Sequence, residues 1–320
     1  MDVRFAPLEG ITDAIYRRVH FACFGGVSKY YIPFISPTVH HIFTPKERRA
    51  IDPEQNAGLP VVPQVLAKDA EHFLWFAGEV KAMGYDEVNL NIGCPSGTVT
   101  AKVKGSGLLR ETQVLRPFLE EIFARTPLPI SIKTRVGYAS AEEWPAILDI
   151  LRAYPMKELI IHPRIRSQFY KGETHMDCIQ MAVEAGLPLV YNGDLFDIPS
   201  CRDMAARYPD MPMMLGRGLI ANPALGREIN GGKGITVGEI RSFHQQLEAA
   251  YAAIYPAAQV HSRMREVMKH TACCFDNADK ARKAIAKSNP ANYGAALGKL
   301  LACPLREEPG YMPVMYAGKA

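Results

Sequence analysis

The chain has 320 residues, 48% of them hydrophobic, which is enough for a barrel-sized core and a smaller second domain. No apolar run approaches the roughly 20 residues that cross a bilayer, and the N-terminus lacks the layout of a signal peptide, so we expect a cytoplasmic protein. The net charge of +4 does not by itself indicate nucleic-acid binding, and seven scattered cysteines without a CxxC pair predict neither disulfides nor a bound metal.

Eight short apolar runs alternate with helix-like stretches along the first two thirds of the chain. The runs cover residues 3–7, 28–32, 59–66, 87–91, 129–135, 159–162, 187–192 and 211–216. The stretches between them, such as 69–83, 112–125, 141–153, 176–185 and 198–208, are long enough for crossover helices between parallel strands. Eight such units predict an α/β fold of the (β/α)8 TIM-barrel type, although an open doubly wound sheet shows the same alternation.

The sequence changes character after the glycine-rich segment that ends at Gly234. Strand-like runs stop there, and residues 237–255, 261–275 and 278–287 are predicted to be helical. We therefore predict a barrel domain over 1–232, a small C-terminal helical domain over 233–305, and a tail without fixed structure over 306–320. No long apolar helix stripe is left unpaired, so we expect a monomer.

The sharpest local motif is Asn-Leu-Asn-Ile-Gly-Cys-Pro-Ser over residues 89–96, which ends the fourth run. Polar residues after barrel strands meet on the catalytic face, so this position favours a chemical role for Cys94 over that of a buried small residue. A thiol of ordinary pKa, about 8.5, is mostly protonated at neutral pH and can act as a general acid or as a nucleophile. The residues alone leave both roles open.

Three further clusters at strand ends are candidates for anion binding. The segments Asn192-Gly-Asp194 and Gly216-Arg217-Gly218 follow the last two runs, where barrels commonly bind phosphate, although such glycines can simply form turns. Lys133 would lie inside the barrel mouth and need an anionic partner there. The loop after His162 carries cations that suit phosphate contact, or merely solvation.

The C-terminal helices carry a local excess of positive charge. Residues 261–299 hold eight Lys or Arg against three acidic residues. A basic helical region of this kind is a candidate RNA surface, or an ordinary solvated helix face.

The ordered motifs resemble the tRNA-dihydrouridine synthase family from Phe5 to about Lys287. The resemblance rests on residues 6–10 (APLEG), Gln64, 89–96, KxRxG over 133–137, HxRxRxQ over 162–168, 192–194, 216–218 and Asn222-Pro223. Each motif alone is weak evidence for the family, whereas the full set in this order is specific for it.

The resemblance implies reduction of uridine in tRNA or rRNA to 5,6-dihydrouridine, with FMN as cofactor, NADPH as reductant and Cys94 as general acid. It places Pro7, Leu8, Gln64, Lys133 and His162 around the flavin ring. It places Asn192, Asp194, Gly216 and Arg217 at the flavin phosphate. It assigns Asn91, Arg164 and Arg166 to the substrate.

Three departures from the family pattern lie near the predicted mouth of the barrel. The second run reads KYYIPF over 29–34, where an acidic residue is usual, Pro63 precedes Gln64, and Pro163 stands where glycine is usual. Two other functions therefore stay open: a flavin oxidoreductase acting on a small pyrimidine-like substrate, and an RNA-binding flavoprotein without reductase activity.

Overall fold

The structure, a computed structural model, describes residues 1–312. It contains nine strands: β1 (Val3–Phe5), β2 (Lys29–Tyr31), β3 (Val61–Val62), β4 (Gln64–Val65), β5 (Val88–Ile92), β6 (Ile130–Gly137), β7 (Glu158–Ile165), β8 (Leu189–Tyr191) and β9 (Met213–Leu215). They form one sheet in the order β3-β2-β1-β9-β8-β7-β6-β5-β4. Parallel pairing and intervening helices give the strand order of a (β/α)8 barrel, which confirms the predicted fold class.

The eight predicted runs become nine strands because Pro63 divides the third run. Proline has no N–H to donate to a ladder. The carbonyl of Val62 accepts from Ile32 N, whereas Gln64 pairs with Asn89 of β5. A single run in the sequence therefore yields the two strands at opposite ends of the sheet order.

Fifteen α-helices lie in the described part of the chain. They are α1 (Ala14–Cys23), α2 (Pro45–Ile51), α3 (Ala70–Ala82), α4 (Gly97–Thr100), α5 (Gly107–Arg110), α6 (Thr112–Arg125), α7 (Trp144–Leu151), α8 (Met176–Glu184), α9 (Ile198–Arg207), α10 (Arg217–Ala221), α11 (Leu225–Glu228), α12 (Val237–Ala252), α13 (Ala257–Thr271), α14 (Asp279–Ala286) and α15 (Tyr293–Leu301). Side-chain caps start several of them; Asp69, for example, accepts from His72 N at the start of α3. Within residues 1–312 no helix is both long and apolar enough to span a membrane.

The contacts of the chain divide it into two compact units. Of the described residues, one unit comprises 1–30, 194–210 and 215–312, and the other comprises 31–193 and 211–214. In the first, Phe5, Tyr16, His20 and Phe243 belong to a buried aromatic core, and burial lowers the pKa of His20 to about 3. In the second, the inward side chains of β5 and β6 are polar, whereas alternate residues such as Leu90 and Ile132 are buried and apolar.

The C-terminal helical region predicted from residue 233 is present as α12 to α15, and the predicted domain boundary near Gly232 stays a prediction. The tail predicted over 306–320 extends beyond the described residues. Its described part is held by backbone hydrogen bonds, from Arg306 N to Cys274 O at 2.9 Å and from Tyr311 N to Phe196 O at 3.0 Å. Tyr311 is buried.

Candidate active site

The loop that carries Cys94 is fixed on both sides of the thiol by hydrogen bonds to its backbone. Asn91 Oδ1 accepts from Gly93 N at 3.0 Å and from Cys94 N at 2.9 Å. The carbonyl of Cys94 accepts from Ser106 N at 3.1 Å and from Ser106 Oγ at 2.9 Å. Gly105 packs so closely that a Cβ there would lie 2.8 Å from the Cys94 carbonyl oxygen. These contacts leave the backbone of Cys94 little freedom, while its side chain stays partly exposed.

A column of buried polar side chains leads to this loop through the interior of the strands. Gln64 Nε2 donates to Asn89 Oδ1 at 2.8 Å, and Asn91 Nδ2 donates to Gln64 Oε1 at 2.8 Å. Asn89 donates to Ser131, which donates to Glu87 at 2.7 Å. An unsatisfied buried polar group costs about 1–3 kcal/mol. Loss of the Gln64 amide would therefore leave Asn89 Oδ1 and Asn91 Nδ2 without their side-chain partner.

Lys133 is a cation next to Asn91 in the sheet, and residues 1–312 supply no counterion for it. Within residues 1–312 no carboxylate forms an ion pair with it. Burial and the neighbouring Arg135 guanidinium lower the pKa of Lys133 to about 7, against an opposing effect of Cys94. The anionic partner that the sequence predicts for Lys133 stays a prediction.

Replacement of Lys133 by Met should change how stability depends on pH. The folded-state pKa of Lys133 lies below the unfolded value, so the cost of burying its charge is full below pH 7 and fades towards pH 10. The advantage of Lys133→Met over the wild type should therefore shrink as pH rises, by at most about 1.4 kcal/mol per pH unit. Urea unfolding of the ligand-free protein at about pH 6.5 and about pH 9.5 measures this.

The exposed Lys171 provides the control for that experiment. The stability difference between Lys171→Met and the wild type should be the same at both pH values. An equally constant difference for Lys133→Met would contradict the assigned titration.

Arg135 forms hydrogen bonds both to the Cys94 loop and to the loop that follows β7. Its side chain is 1% exposed and donates to three carbonyl oxygens, those of Gly93 at 3.1 Å, Ile165 at 3.0 Å and Phe169 at 2.6 Å. The guanidinium also lies 5.5 Å from the centre of the Tyr170 ring. Arg135 thus acts as a clamp between two loops, a role that the sequence did not reveal.

The predicted substrate arginines are held by backbone carbonyl groups. Arg164 is buried and donates to the carbonyls of Lys171 and Gly172, and its Nη1 lies 3.4 Å from His162 Nε2. Arg166 donates to the carbonyl of Pro95 at 3.2 Å, next to the cysteine. The structure brings both arginines close to the predicted site, and their contact with substrate stays a prediction.

Two aromatic side chains project from the same loop. Phe169 is 43% exposed and Tyr170 is 56% exposed. Phe169 adopts φ 51° and ψ −97°, a conformation that an L-residue rarely takes. The Tyr170 ring stacks on His162 with ring centres 5.9 Å apart. Neither residue was predicted, although exposed aromatics beside a cation-rich loop are a usable sequence signal for nucleic acid.

The predicted phosphate residues fall into two groups. In one unit, Arg217 Nη2 lies 3.1 Å from Asp194 Oδ1, and Asp194 has a positive φ of 43°. A Cβ at Gly216 would make only ordinary contacts, 3.5 Å from Ala6 and 3.7 Å from Leu8, so packing against the protein does not require glycine there. Leu8 and the preceding Pro7 are partly exposed. In the other unit, Asn192 donates to the Met214 carbonyl at 2.7 Å.

The basic C-terminal region presents lysines to solvent. Arg263, Lys269 and Arg282 form ion pairs with Asp13, Glu266 and Asp279 respectively. Four others are exposed, namely Lys280, Lys283, Lys287 and Lys299. The candidate RNA surface is therefore carried by α14 and α15.

Two comparisons with solved structures define the class of fold. The chain resembles a variant of NCR from Zymomonas mobilis (TM-score 0.50, 15% identity, 79% of this chain and 94% of that chain). It also resembles morphinone reductase (TM-score 0.52, 12% identity, 73% of this chain and 87% of that chain). At these identities the likeness shows the fold alone.

The family follows from sequence. The family model "Dihydrouridine synthase (Dus)" matches residues 4–296, so the chain belongs to the dihydrouridine synthase family. This confirms the resemblance and the prediction of an enzyme of the flavin-dependent oxidoreductase class.

Three relatives illustrate the similarity. The tRNA-dihydrouridine(16) synthase of Aquipseudomonas alcaligenes is 28% identical over 72% of this chain and 75% of that protein. A probable tRNA-dihydrouridine synthase of Rhodobacter capsulatus is 31% identical over 69% of this chain and 68% of that protein. Probable tRNA-dihydrouridine synthase 1 of Synechocystis sp. is 28% identical over 70% of this chain, and the match spans 63% of that protein's length.

Proposed function

We propose that this protein reduces specific uridines of tRNA to 5,6-dihydrouridine with FMN and NADPH, and that Cys94 is the general acid. One observation carries the proposal beyond family membership. The Cys94 loop is held rigidly next to Lys133, a cation that has no carboxylate partner within residues 1–312.

The residues present fit a bound flavin. A partly buried lysine without a counterion suits the electron-rich edge of a flavin ring, and we propose Pro7, Leu8, Gln64 and His162 as the other ring contacts. We assign the flavin phosphate to Asn192, Asp194, Gly216 and Arg217; the glycine that packing does not require supports this assignment. When bound, the flavin would accept hydride from NADPH and supply it to the uracil ring.

The role of Cys94 follows from the proton balance. Addition of hydride to one carbon of the uracil double bond leaves an enolate, which needs a proton at the neighbouring carbon. The Cys94 thiol would donate that proton and become a thiolate, which solvent reprotonates. Lys133 and Arg135 lie close enough to Cys94 to interact electrostatically with it, and both cations would stabilise the thiolate.

Recognition of RNA would use the loop after β7 and the C-terminal helices. A stacked uridine must be extruded at a cost of a few kcal/mol, which backbone contacts and stacking can offset. We propose Asn91, Arg164 and Arg166 at the substrate and the exposed lysines of α14 and α15 at RNA phosphates. We further propose that the protein is a monomer, that it works in the cytoplasm, and that its partner there is tRNA or rRNA.

An assay of RNA and free pyrimidines with one preparation tests the proposal. The purified protein would be incubated with FMN, NADPH and unmodified tRNA, with rRNA, or with uridine, uracil and orotate. Nucleoside mass spectrometry then measures dihydrouridine, and fragment mapping locates it. We expect product in tRNA at defined positions and none from free pyrimidines.

Other outcomes point to the alternatives. Turnover of a free pyrimidine without RNA reduction would indicate a small-molecule oxidoreductase. Binding of flavin and RNA without turnover of any substrate would indicate an RNA-binding flavoprotein. Product in rRNA alone would retain the chemistry and change the substrate.

A further inference from the structure

The side chain of Arg217 contacts two aromatic rings that come from distant parts of the chain and pack on each other, with ring centres 5.0 Å apart. Its guanidinium carbon is 4.9 Å from the centre of the Phe196 ring and 5.1 Å from the centre of the Tyr311 ring. Its Nη2 also lies 3.1 Å from Asp194 Oδ1. We call the guanidinium and the two rings beside it the arginine box.

Residues 304–311, which we call the C-terminal strap, are held by contacts of residues 304–306 and 309–311. Gly310 packs so tightly that a Cβ would lie 2.5 Å from the Phe196 carbonyl oxygen. Five backbone-mediated contacts join the strap to its surroundings: Pro304 with Asp276, Leu305 with Phe275, Arg306 with Cys274, Pro309 with Asn222, and Tyr311 with Phe196. The strap therefore packs against this unit through defined backbone contacts.

The geometry of the box suits an arginine that binds an anion. Both rings pack on the same side of the guanidinium, and its N–H donors lie in its plane. About a fifth of the Arg217 side chain, 22%, is accessible. Two rings and a carboxylate restrict the rotamers of Arg217, so little conformational entropy is lost when an anion binds.

We infer that the C-terminal strap is part of the flavin site, with Tyr311 and Phe196 as positioning residues that hold Arg217 for the phosphate monoester of FMN. This inference rests on the proposed function, which assigns Arg217 to that phosphate. A merely structural Tyr311 is the competing explanation, because its ring also packs on Ala221 and Cys273. The two explanations differ in whether the effect of Tyr311 on flavin affinity depends on the phosphate of the flavin.

Comparison of two flavins separates the explanations. Tyr311→Leu keeps apolar bulk against Ala221 and Cys273 but removes the aromatic face, and Tyr311→Phe keeps the face. Flavin fluorescence titration of the full-length apoprotein would measure Kd for FMN and for riboflavin, which lacks the phosphate. Tyr311→Leu should raise the FMN Kd about 3- to 10-fold, as expected for loss of one cation–π contact, and leave the riboflavin Kd within about twofold. Tyr311→Phe keeps the ring but loses the hydroxyl, which hydrogen-bonds with Arg217, so it should raise the FMN Kd by less than Tyr311→Leu does.

A double-mutant cycle with Arg217→Ala identifies the group through which Tyr311 acts. In the Arg217→Ala background, Tyr311→Leu should have no further effect on the FMN Kd. Thermal unfolding of each apoprotein monitors folding, and Phe196→Leu repeats the test with the other ring of the box.

Each contrary result has a distinct meaning. Equal weakening of both flavins by Tyr311→Leu and Phe196→Leu, or weakening of neither, overturns the inference and leaves the proposed function intact. A wild-type protein that binds FMN no more tightly than riboflavin overturns the phosphate assignment, and with it both the inference and that part of the proposed function.

Discussion

Replacement of Cys94 by alanine should slow dihydrouridine formation by about 10²- to 10⁴-fold, the usual contribution of a positioned general acid. Flavin binding should change little, because the loop is held by Asn91 and Ser106 through the Cys94 backbone, which alanine retains. Single-turnover formation of dihydrouridine in tRNA, measured by nucleoside mass spectrometry, gives the rate. Visible absorbance of the same samples gives flavin occupancy.

Cys23→Ser serves as the matched control, since Cys23 is a partly exposed thiol at the end of α1 with no place in the proposed chemistry. Its rate should equal that of the wild type. A Cys94→Ala protein that retains full flavin and reacts within about threefold of the wild type would show that another group or solvent supplies the proton.

Much of the barrel could be predicted because local rules agree with the global fold. The helix predicted over 112–125 has those bounds in the structure, since Pro127 forces Thr126 into extended backbone with ψ 137°. The strand period of two likewise predicts Lys133 inside the barrel mouth, and in the structure Lys133 is the paired neighbour of Asn91. Periodicity and proline chemistry are local, so they can be read from one sequence.

The elements that could not be predicted depend on packing between distant residues. α15 contains Gly294 and Gly298, and each glycine destabilises a helix by about 1 kcal/mol relative to alanine. The helix is stabilised by burial of Tyr293, Ala296 and Leu300. Tyr311 meets Arg217 across nearly a hundred residues of sequence. Neither feature has a local signature, so the sequence predicts no individual helix over α15, and most of the strap falls in the predicted tail.

The clamp made by Arg135 was missed for a different reason. Its three acceptors are backbone carbonyls, which every residue type carries, so no side chain in either loop marks them. The sequence placed Arg135 on the same face as Lys133, but it could not show that one arginine binds the Cys94 loop and the other loop together. The contribution of these three hydrogen bonds to the free energy of unfolding can be measured by substitution of Arg135.

Arg135→Met should lower the free energy of unfolding by about 3 kcal/mol, because three carbonyls that a buried charged donor now satisfies would lose it. Arg135→Lys should recover little of this loss, since one ammonium group cannot reproduce the spread of the guanidinium donors. Urea unfolding measures both variants. Arg166→Met is the control, since Arg166 is partly exposed and donates to one carbonyl, so its cost should stay below about 1 kcal/mol. Equal losses in the free energy of unfolding for Arg135→Met and Arg166→Met would show that the clamp contributes no more to stability than a single arginine–carbonyl hydrogen bond. The expected difference would identify Arg135 as the residue that holds the Cys94 loop against the loop after β7.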